Sequence, residues 1–167
     1  MGCQVGSRAH HGRLDSPMPW DYRYEKQAET FISTSWGTLT DEDLTSGFSR
    51  LVVDPNFRDD RRWFGDHTLV DKFAVTQGFL AHFPYAEKVR LHRGRRSFLM
   101  FTPNGSSLFE HYLCSLNSSD FRLFYERRKA VDWINEGVPP EMRLTAEVTT
   151  IGHGAALLAG MHTRRPH

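Results

Sequence analysis

Cysteine is scarce in this chain. Cys3 and Cys114 are the two present, too few for a disulfide framework or a zinc knuckle, and a reducing compartment fits such a chain best. Charge of one sign is scarce as well: a formal net charge of +1 provides no global field to recruit nucleic acid or an anionic membrane. Long apolar runs are missing. The stretch from Ala155 to Met161 is the longest late one, far below the ~20 residues of a membrane-spanning helix. The start, Met1-Gly2-Cys3-Gln4-Val5-Gly6-Ser7, has Gly6 where an acylation signal has Ser or Thr. Residues 8–17 are polar, unlike the apolar core of a signal peptide. The expectation is a soluble, cytoplasmic protein with no membrane span and no nucleic-acid partner. No internal repeat is visible.

What is present suits one folded unit with loose ends. At 167 residues, with 39% apolar and 25% charged residues, the chain can bury a proper core and is ordinary for a globular domain. Residues 1–17 are small, polar and basic without periodicity, and are read as a disordered leader. Trp20, Tyr22 and Tyr24 alternate with polar residues, and Thr30 to Thr38 alternates again, so residues 20–38 read as a hairpin. Thr40 is a good helix N-cap, followed by Asp41, Glu42 and Asp43 in the first turn and by the stripe Leu44, Phe48, Leu51, Val52. Pro55 ends that helix.

Further on, Arg62 to Asp66 reads as a strand, and Val75, Phe79, Leu80 and Phe83 as a second helix stopped by Pro84. Residues 95–102 read as a central strand, because Phe98-Leu99-Met100-Phe101 is apolar on both faces. After the turn Pro103-Asn104-Gly105, Ser107 and Glu110 form a capping box over a helix carrying Phe109, Tyr112, Leu113 and Leu116. Cys114 falls away from that helix's apolar face. Phe121 to Tyr125 then passes without a loop into a helix with Ala130, Val131 and Ile134 on one side, closed by Gly137 and Pro139-Pro140. Residues 138–167 are expected to be a flexible tail. Each late strand is followed by a helix, which predicts parallel strands joined by right-handed crossovers. The basic clusters Arg61-Arg62, Arg93 with Arg95-Arg96, and Arg127-Arg128-Lys129 are read as solvated faces.

The layout resembles a known family. An opening hairpin, the turn Asp54-Pro55-Asn56-Phe57-Arg58 after the first helix, a strand reaching Asp66, and a last strand running into Ala130-Val131-Asp132-Trp133 resemble the small bacterial STAS-like proteins, relatives of the anti-sigma-factor antagonist domain. The resemblance spans residues 18–136, within an expected domain of residues 18–137. It implies an α/β fold, a mixed sheet of four or five strands with helices packed mainly on one face. It also implies a non-enzymatic switch or ligand-binding module, largely uncharacterised in the family. Antagonists carry a phosphorylatable Ser or Thr in an Asp-Ser-Ser-Gly-like turn. Here the stretch reads Asp66-His67-Thr68-Leu69-Val70-Asp71-Lys72. Thr68 is its one hydroxyl and no glycine follows, so the phosphoswitch does not carry over.

The candidate chemistry is modest. Asp66 and His67 at an expected strand end, with Thr68 and Asp71 nearby, are placed to bind a polar ligand or a partner, since ligands gather beyond the carboxyl ends of strands in open α/β sheets. The plainer reading makes Asp66 a turn cap and His67 a solvated side chain. Asn104-Gly105-Ser106-Ser107 precedes a helix, where free amides attract anions, although capping alone accounts for Ser107 and the Lys of a nucleotide loop is missing. A hydrolase using Ser106 or Ser107 with His111 lacks the nucleophile-elbow pattern. His82, His92 and His111 lie far apart with no metal-ligand spacing, so neither a metal nor a cofactor is expected. Phe121, Phe124 and Tyr125 beside Arg122 are a faint version of an RNA-stacking surface, and core packing explains them better. The expectation is a non-enzymatic regulatory or protein-interaction domain, with Asp66, His67, Thr68, Asp71, Ser106 and Ser107 as its ligand or partner surface. The alternative is a small-ligand or lipid-binding module roofed by the second helix, and less readily a serine hydrolase.

Overall fold

The computed structural model describes residues 18–82, 92–100 and 120–150. The leader, the Ser107–Leu116 helix with Ser106, His111 and Cys114, and Phe83-Pro84 lie outside the described residues.

The opening hairpin is present. β1 (Trp20–Glu25) and β2 (Thr30–Thr40) pair antiparallel, from Trp20 against Ser35 to Glu25 against Thr30. β3 (Arg62–Ala74), β4 (Arg96–Leu99) and β5 (Phe121–Phe124) then add in parallel, giving one five-stranded mixed sheet in the order β1-β2-β3-β4-β5. β3 is much longer than the sequence suggested. It does not stop at Asp66 but continues to Ala74, because β2 runs beside it as far as Thr40 and supplies its ladder bonds. Asp66, His67 and Thr68 are therefore mid-strand residues rather than a strand end.

α1 (Asp41–Val52) begins at Thr40 as expected, and Asp43 completes a capping box: the Thr40 amide donates to Asp43 Oδ2 at 2.9 Å and the Asp43 amide to Thr40 Oγ1 at 3.3 Å. α2 (Gln77–Ala81) is a single short helix; Val75 is buried just ahead of it and Leu80 within it. Its cap Thr76 also donates through its amide and its hydroxyl to the Asp41 carboxylate, at 2.8 Å each, which ties the starts of the two helices together. α3 (Arg127–Ile134) buries Ala130, Val131 and Ile134, the stripe expected of it, and Trp133 as well.

Alternation along the strands divides the core in two. Phe31, Trp63 and Phe98 point to the side of α1 and α2, where Trp20, Leu44 and Leu51 meet them; Ile32, Phe64 and Leu99 point to the side of α3. Among the described residues α1 and α2 lie on one face and α3 on the other. α1 and α2 lie in connections between parallel strands, which must cross on one hand and hence on one face; α3 follows the last strand of the sheet and is free of that rule.

Two further expectations are corrected. Residues 138–149 are not a loose tail: a 3-10 turn (Pro140–Met142) and α4 (Ala146–Thr150) follow α3, with Leu144 and Thr149 only 2% and 1% exposed. The basic clusters are not all solvated. Arg96 is fully buried with its guanidinium 5.6 Å from the Phe121 ring, Arg61 pairs with Glu29 at 2.5 Å, and Arg95 lies 5.4 Å from the Trp133 ring. These arginines, at or just before the starts of β3 and β4, lay their planar heads on aromatic rings. Arg128, at 94% side-chain exposure, is solvated as expected.

Gly47 tests how tightly α1 sits. A Cβ at this position would lie 2.2 Å from the buried Trp20 ring. Helix propensity alone makes Gly47→Ala stabilising by ~1 kcal/mol, whereas overpacking a core costs about 1–3 kcal/mol. The expected outcome is a net loss of stability in urea denaturation.

Candidate functional site

The region singled out by the sequence lies at the middle of the sheet, on β3. Successive residues of a strand face opposite ways, so its polar side chains are split between the two cores. Asp66 and Thr68 share the α3 side with Phe64. His67 shares the α1 side with Trp63 and Gly65.

Asp66 is fully buried, and its carboxylate is spoken for. The Thr68 amide and hydroxyl donate to its Oδ1 at 3.0 and 2.7 Å, and Arg127 Nη2 donates to its Oδ2 at 2.5 Å. Arg127 stands at the first position of α3 and also donates through Nη1 to Thr149, at 3.3 Å to its carbonyl and 3.0 Å to its hydroxyl. Burial by itself raises the Asp66 pKa, but the Thr68 hydroxyl and amide and the Arg127 guanidinium outweigh it and hold the carboxyl below its ordinary range. At neutral pH the group is an ionised anchor, unsuited to moving a proton.

His67 is 3% exposed and its Nδ1 lies 3.0 Å from the Ser35 hydroxyl. Its ring stacks on Phe98 at 5.3 Å between centroids and meets Phe73 edge-on at 6.1 Å. Phe98 comes this close because Gly65 has no side chain; a Cβ there would sit 1.9 Å from the Phe98 ring. Trp63 Nε1 donates to Ser33 Oγ at 2.8 Å, so β2 offers two hydroxyls in a row to β3. A serine hydroxyl against an imidazole is the arrangement of a nucleophile and its base. Here Ser35 is fully buried and burial pushes His67 down to about 4, which makes it a feeble base at neutral pH. The pair holds β2 to β3.

Asp71 is exposed near the far end of β3, apart from the buried Asp66 and His67. Ser106 and Ser107 lie outside the described residues. The structure thus joins Asp66 with Thr68 but sets His67 on the opposite face and Asp71 in solvent. The partners that sequence reasoning missed are Arg127, Thr149 and Ser35. One signal pointed to Arg127: α3 starts with Arg127, Arg128 and Lys129 and has no acid in its first turn, against the preference of a helix N-terminus for negative charge. A broken local rule of that kind asks for a compensating anion elsewhere.

His92 is a second buried imidazole, 4% exposed, packed between the rings of Phe57 at 5.8 Å and Trp63 at 6.5 Å. Its Nδ1 faces the Gly94 carbonyl at 3.2 Å, and burial followed by the nearby Arg96 charge pushes it down to about 4. Among the described residues, no cluster of His, Cys, Asp and Glu could hold a metal ion, and no helix is long and apolar enough to cross a membrane.

Two predictions follow from the buried charges. Asp66→Asn should cost about 3 kcal/mol, because a partly buried Arg127 loses its counter-ion, and the double change Asp66→Leu with Arg127→Met should recover most of that loss in denaturant titrations. Acidification should weaken the fold in two stages. Between pH 6.5 and about 4 the unfolded chain protonates its histidines while folded His67 and His92 stay neutral, so stability declines as pH falls. Each contributes up to roughly 3 kcal/mol of that decline, and His67→Phe should flatten it by about half in melting temperatures recorded across the window. Below the ordinary carboxylate range Asp66 adds its share, lost as pH falls through its lowered folded value.

Neither family models nor curated proteins give a match to this chain. Among solved structures, a similar one is the crystal structure of an uncharacterized protein from the DUF3478 family with a SpoIIAA-like fold from Shewanella loihica PV-4. It aligns at a TM-score of 0.49 and 16% identity, over 69% of this chain and 93% of that chain.

Proposed function

We propose that this chain is a non-enzymatic regulatory or protein-interaction domain whose contact surface is the outer end of β3. The observation that carries the reading is the use made of Asp66: its carboxylate is consumed by Thr68 and Arg127 inside the fold. The Ser35–His67 pair is buried in the same way. Both groups serve as scaffold, so recognition falls to what β3 presents beyond them. Pairing with β4 ends at Asp66 against Leu99, while β3 continues beside β2 to Ala74 and exposes Asp71 and Lys72, one on each side of the strand. Thr68, half-buried at the start of this stretch, is a poor phosphorylation site, since a phosphate on its oxygen would meet the Asp66 carboxylate that the hydroxyl now donates to. The rings of Trp20, Phe48, Trp63 and Phe98, at 5.2–6.0 Å between neighbouring centroids, fill the space between α1 and the sheet. That packing speaks against an apolar ligand cavity between α1 and the sheet.

Cross-linked capture with the full chain as bait tests the surface. Partners recovered with the wild type should fall at least tenfold with Asp71→Lys combined with Lys72→Glu, and unchanged recovery would remove β3 from the contact. A fluorophosphonate probe tests the non-enzymatic half. No labelling is expected, and labelling that disappears in Ser35→Ala would make the chain a hydrolase.

A further inference from the structure

The segment after α3 is held in an unusual manner. Of its residues 140–149, Leu144 and Thr149 are the buried ones, and Leu144 enters the core formed by Ala28, Ile32, Phe64 and Ile134. Most polar contacts on it are directed at its main chain and come from several elements, the Arg127 bond to the Thr149 hydroxyl at 3.0 Å being to a side chain. Arg62 on β3 donates to the Met142 carbonyl at 2.7 Å, and Gln27 in the hairpin turn to the Glu141 carbonyl at 3.4 Å. Arg23 on β1 donates to the Val148 carbonyl, and Arg127 to the Thr149 carbonyl at 3.3 Å. Asn135 grips Leu144 on both sides: its Oδ1 accepts from the Leu144 amide at 2.9 Å and its Nδ2 donates to the Leu144 carbonyl at 2.8 Å. Arg62 in turn holds Asn135 Oδ1 at 3.1 Å. This is how a protein reads a peptide: fixed side chains satisfy the ligand's backbone, and one pocket takes an anchor side chain.

The link to this bound segment is short and exposed. α3 ends at Ile134, Gly137 takes the left-handed backbone at φ +75°, and Pro139-Pro140 follows, with Glu136, Gly137, Pro139 and Pro140 all exposed. Prolines stiffen the connection, and the chain pivots on a residue without a side chain. Nothing in the groove distinguishes the segment of its own chain from the same segment of another copy. Every hydrogen bond and the Leu144 contact would form identically in either, and what favours the intramolecular arrangement is the high effective concentration set by the short link.

We propose that residues 138–150 are an exchangeable strap, and that the groove lined by Arg62, Asn135, Ile32 and Phe64 accepts the strap of a second copy, giving a reciprocally swapped dimer. This surface lies on the α3 side and is independent of the β3 contact proposed above. Exchange needs the strap to open without unfolding the sheet, so the Leu144 and Thr149 amides should exchange hydrogen at least tenfold faster than that of Phe64 in the wild-type full chain. Equal protection at the three positions would overturn the proposal without any variant. Deleting Gly137 and Val138, the pivot and the first residue of the strap, takes the rest of the strap out of reach of its own groove in the full chain. The deletion variant should then run at twice the 19.3 kDa monomer mass in light scattering. Adding Leu144→Asp to it should return the mass to that of the monomer. A monomeric deletion variant with a folded sheet and an unprotected strap would overturn the exchange. If the deletion prevents folding, the readout moves to a labelled peptide of residues 138–150 added to full-length Leu144→Asp. Saturable binding that Asn135→Ala abolishes is expected, and no binding would overturn the proposal.

Discussion

The ion pair between Asp66 and Arg127 is the constraint around which the α3 side of the molecule is arranged. It joins the central strand to the helix that covers it, and through the other arm of the guanidinium it reaches Thr149 at the end of the following segment. A buried pair of this kind gives little net stability, since desolvation cancels much of the attraction. What it does impose is register. With Asp66 in place, α3 must begin where its first residue can reach mid-sheet; removing Arg127 leaves a carboxylate in a core that cannot solvate it, and removing Asp66 leaves a partly buried guanidinium without its counter-ion. Thr68 completes the carboxylate's coordination from the next residue on the same face, so the anchor is fixed from within its own strand as well as from the helix.

The opposite face has a different logic. There the hydroxyls of Ser33 and Ser35 meet Trp63 and His67 across the β2–β3 ladder, and the remaining space is filled by aromatic rings in contact. Neutral hydrogen bonds of this type cost nothing to keep while the imidazole stays uncharged, which ties the integrity of that core to pH. One face is thus held by charge that must stay ionised, and the other by an imidazole that must not become so.

Much of this architecture was legible in the sequence, and what was not has definite physical causes. Alternation exposed the hairpin, the capping sequence at Thr40 exposed α1, and the Ala130-Val131-Ile134 stripe exposed α3, because each is a local pattern within a few residues. Asp66 and Arg127 are 61 positions apart and Ser35 and His67 are 32 apart. No periodicity links such pairs, so a carboxylate inside an apolar strand looked like the strand's end. The segment after Gly137 was misread for another reason. Apart from the Leu144 anchor and the Thr149 hydroxyl, its binding is carried by carbonyls and amides that every sequence possesses, and weak side-chain periodicity is what that mode of attachment produces. The candidate site fared worst, because its residue types suit a scaffold as well as a surface. Burial, which a sequence does not state, decides between them.

The strand order of the sheet has a bearing on where anything can bind. Because the five strands lie side by side in the order of the chain, the crossovers that carry α1 and α2 advance in the same direction and put both helices on one face. Doubly wound sheets owe their ligand crevice to neighbouring connections that depart to opposite faces at the carboxyl ends of the strands. A sheet that grows monotonically lacks such a switch point, so recognition on a sheet of that kind falls to the flanks of its strands or to the segments that cover it.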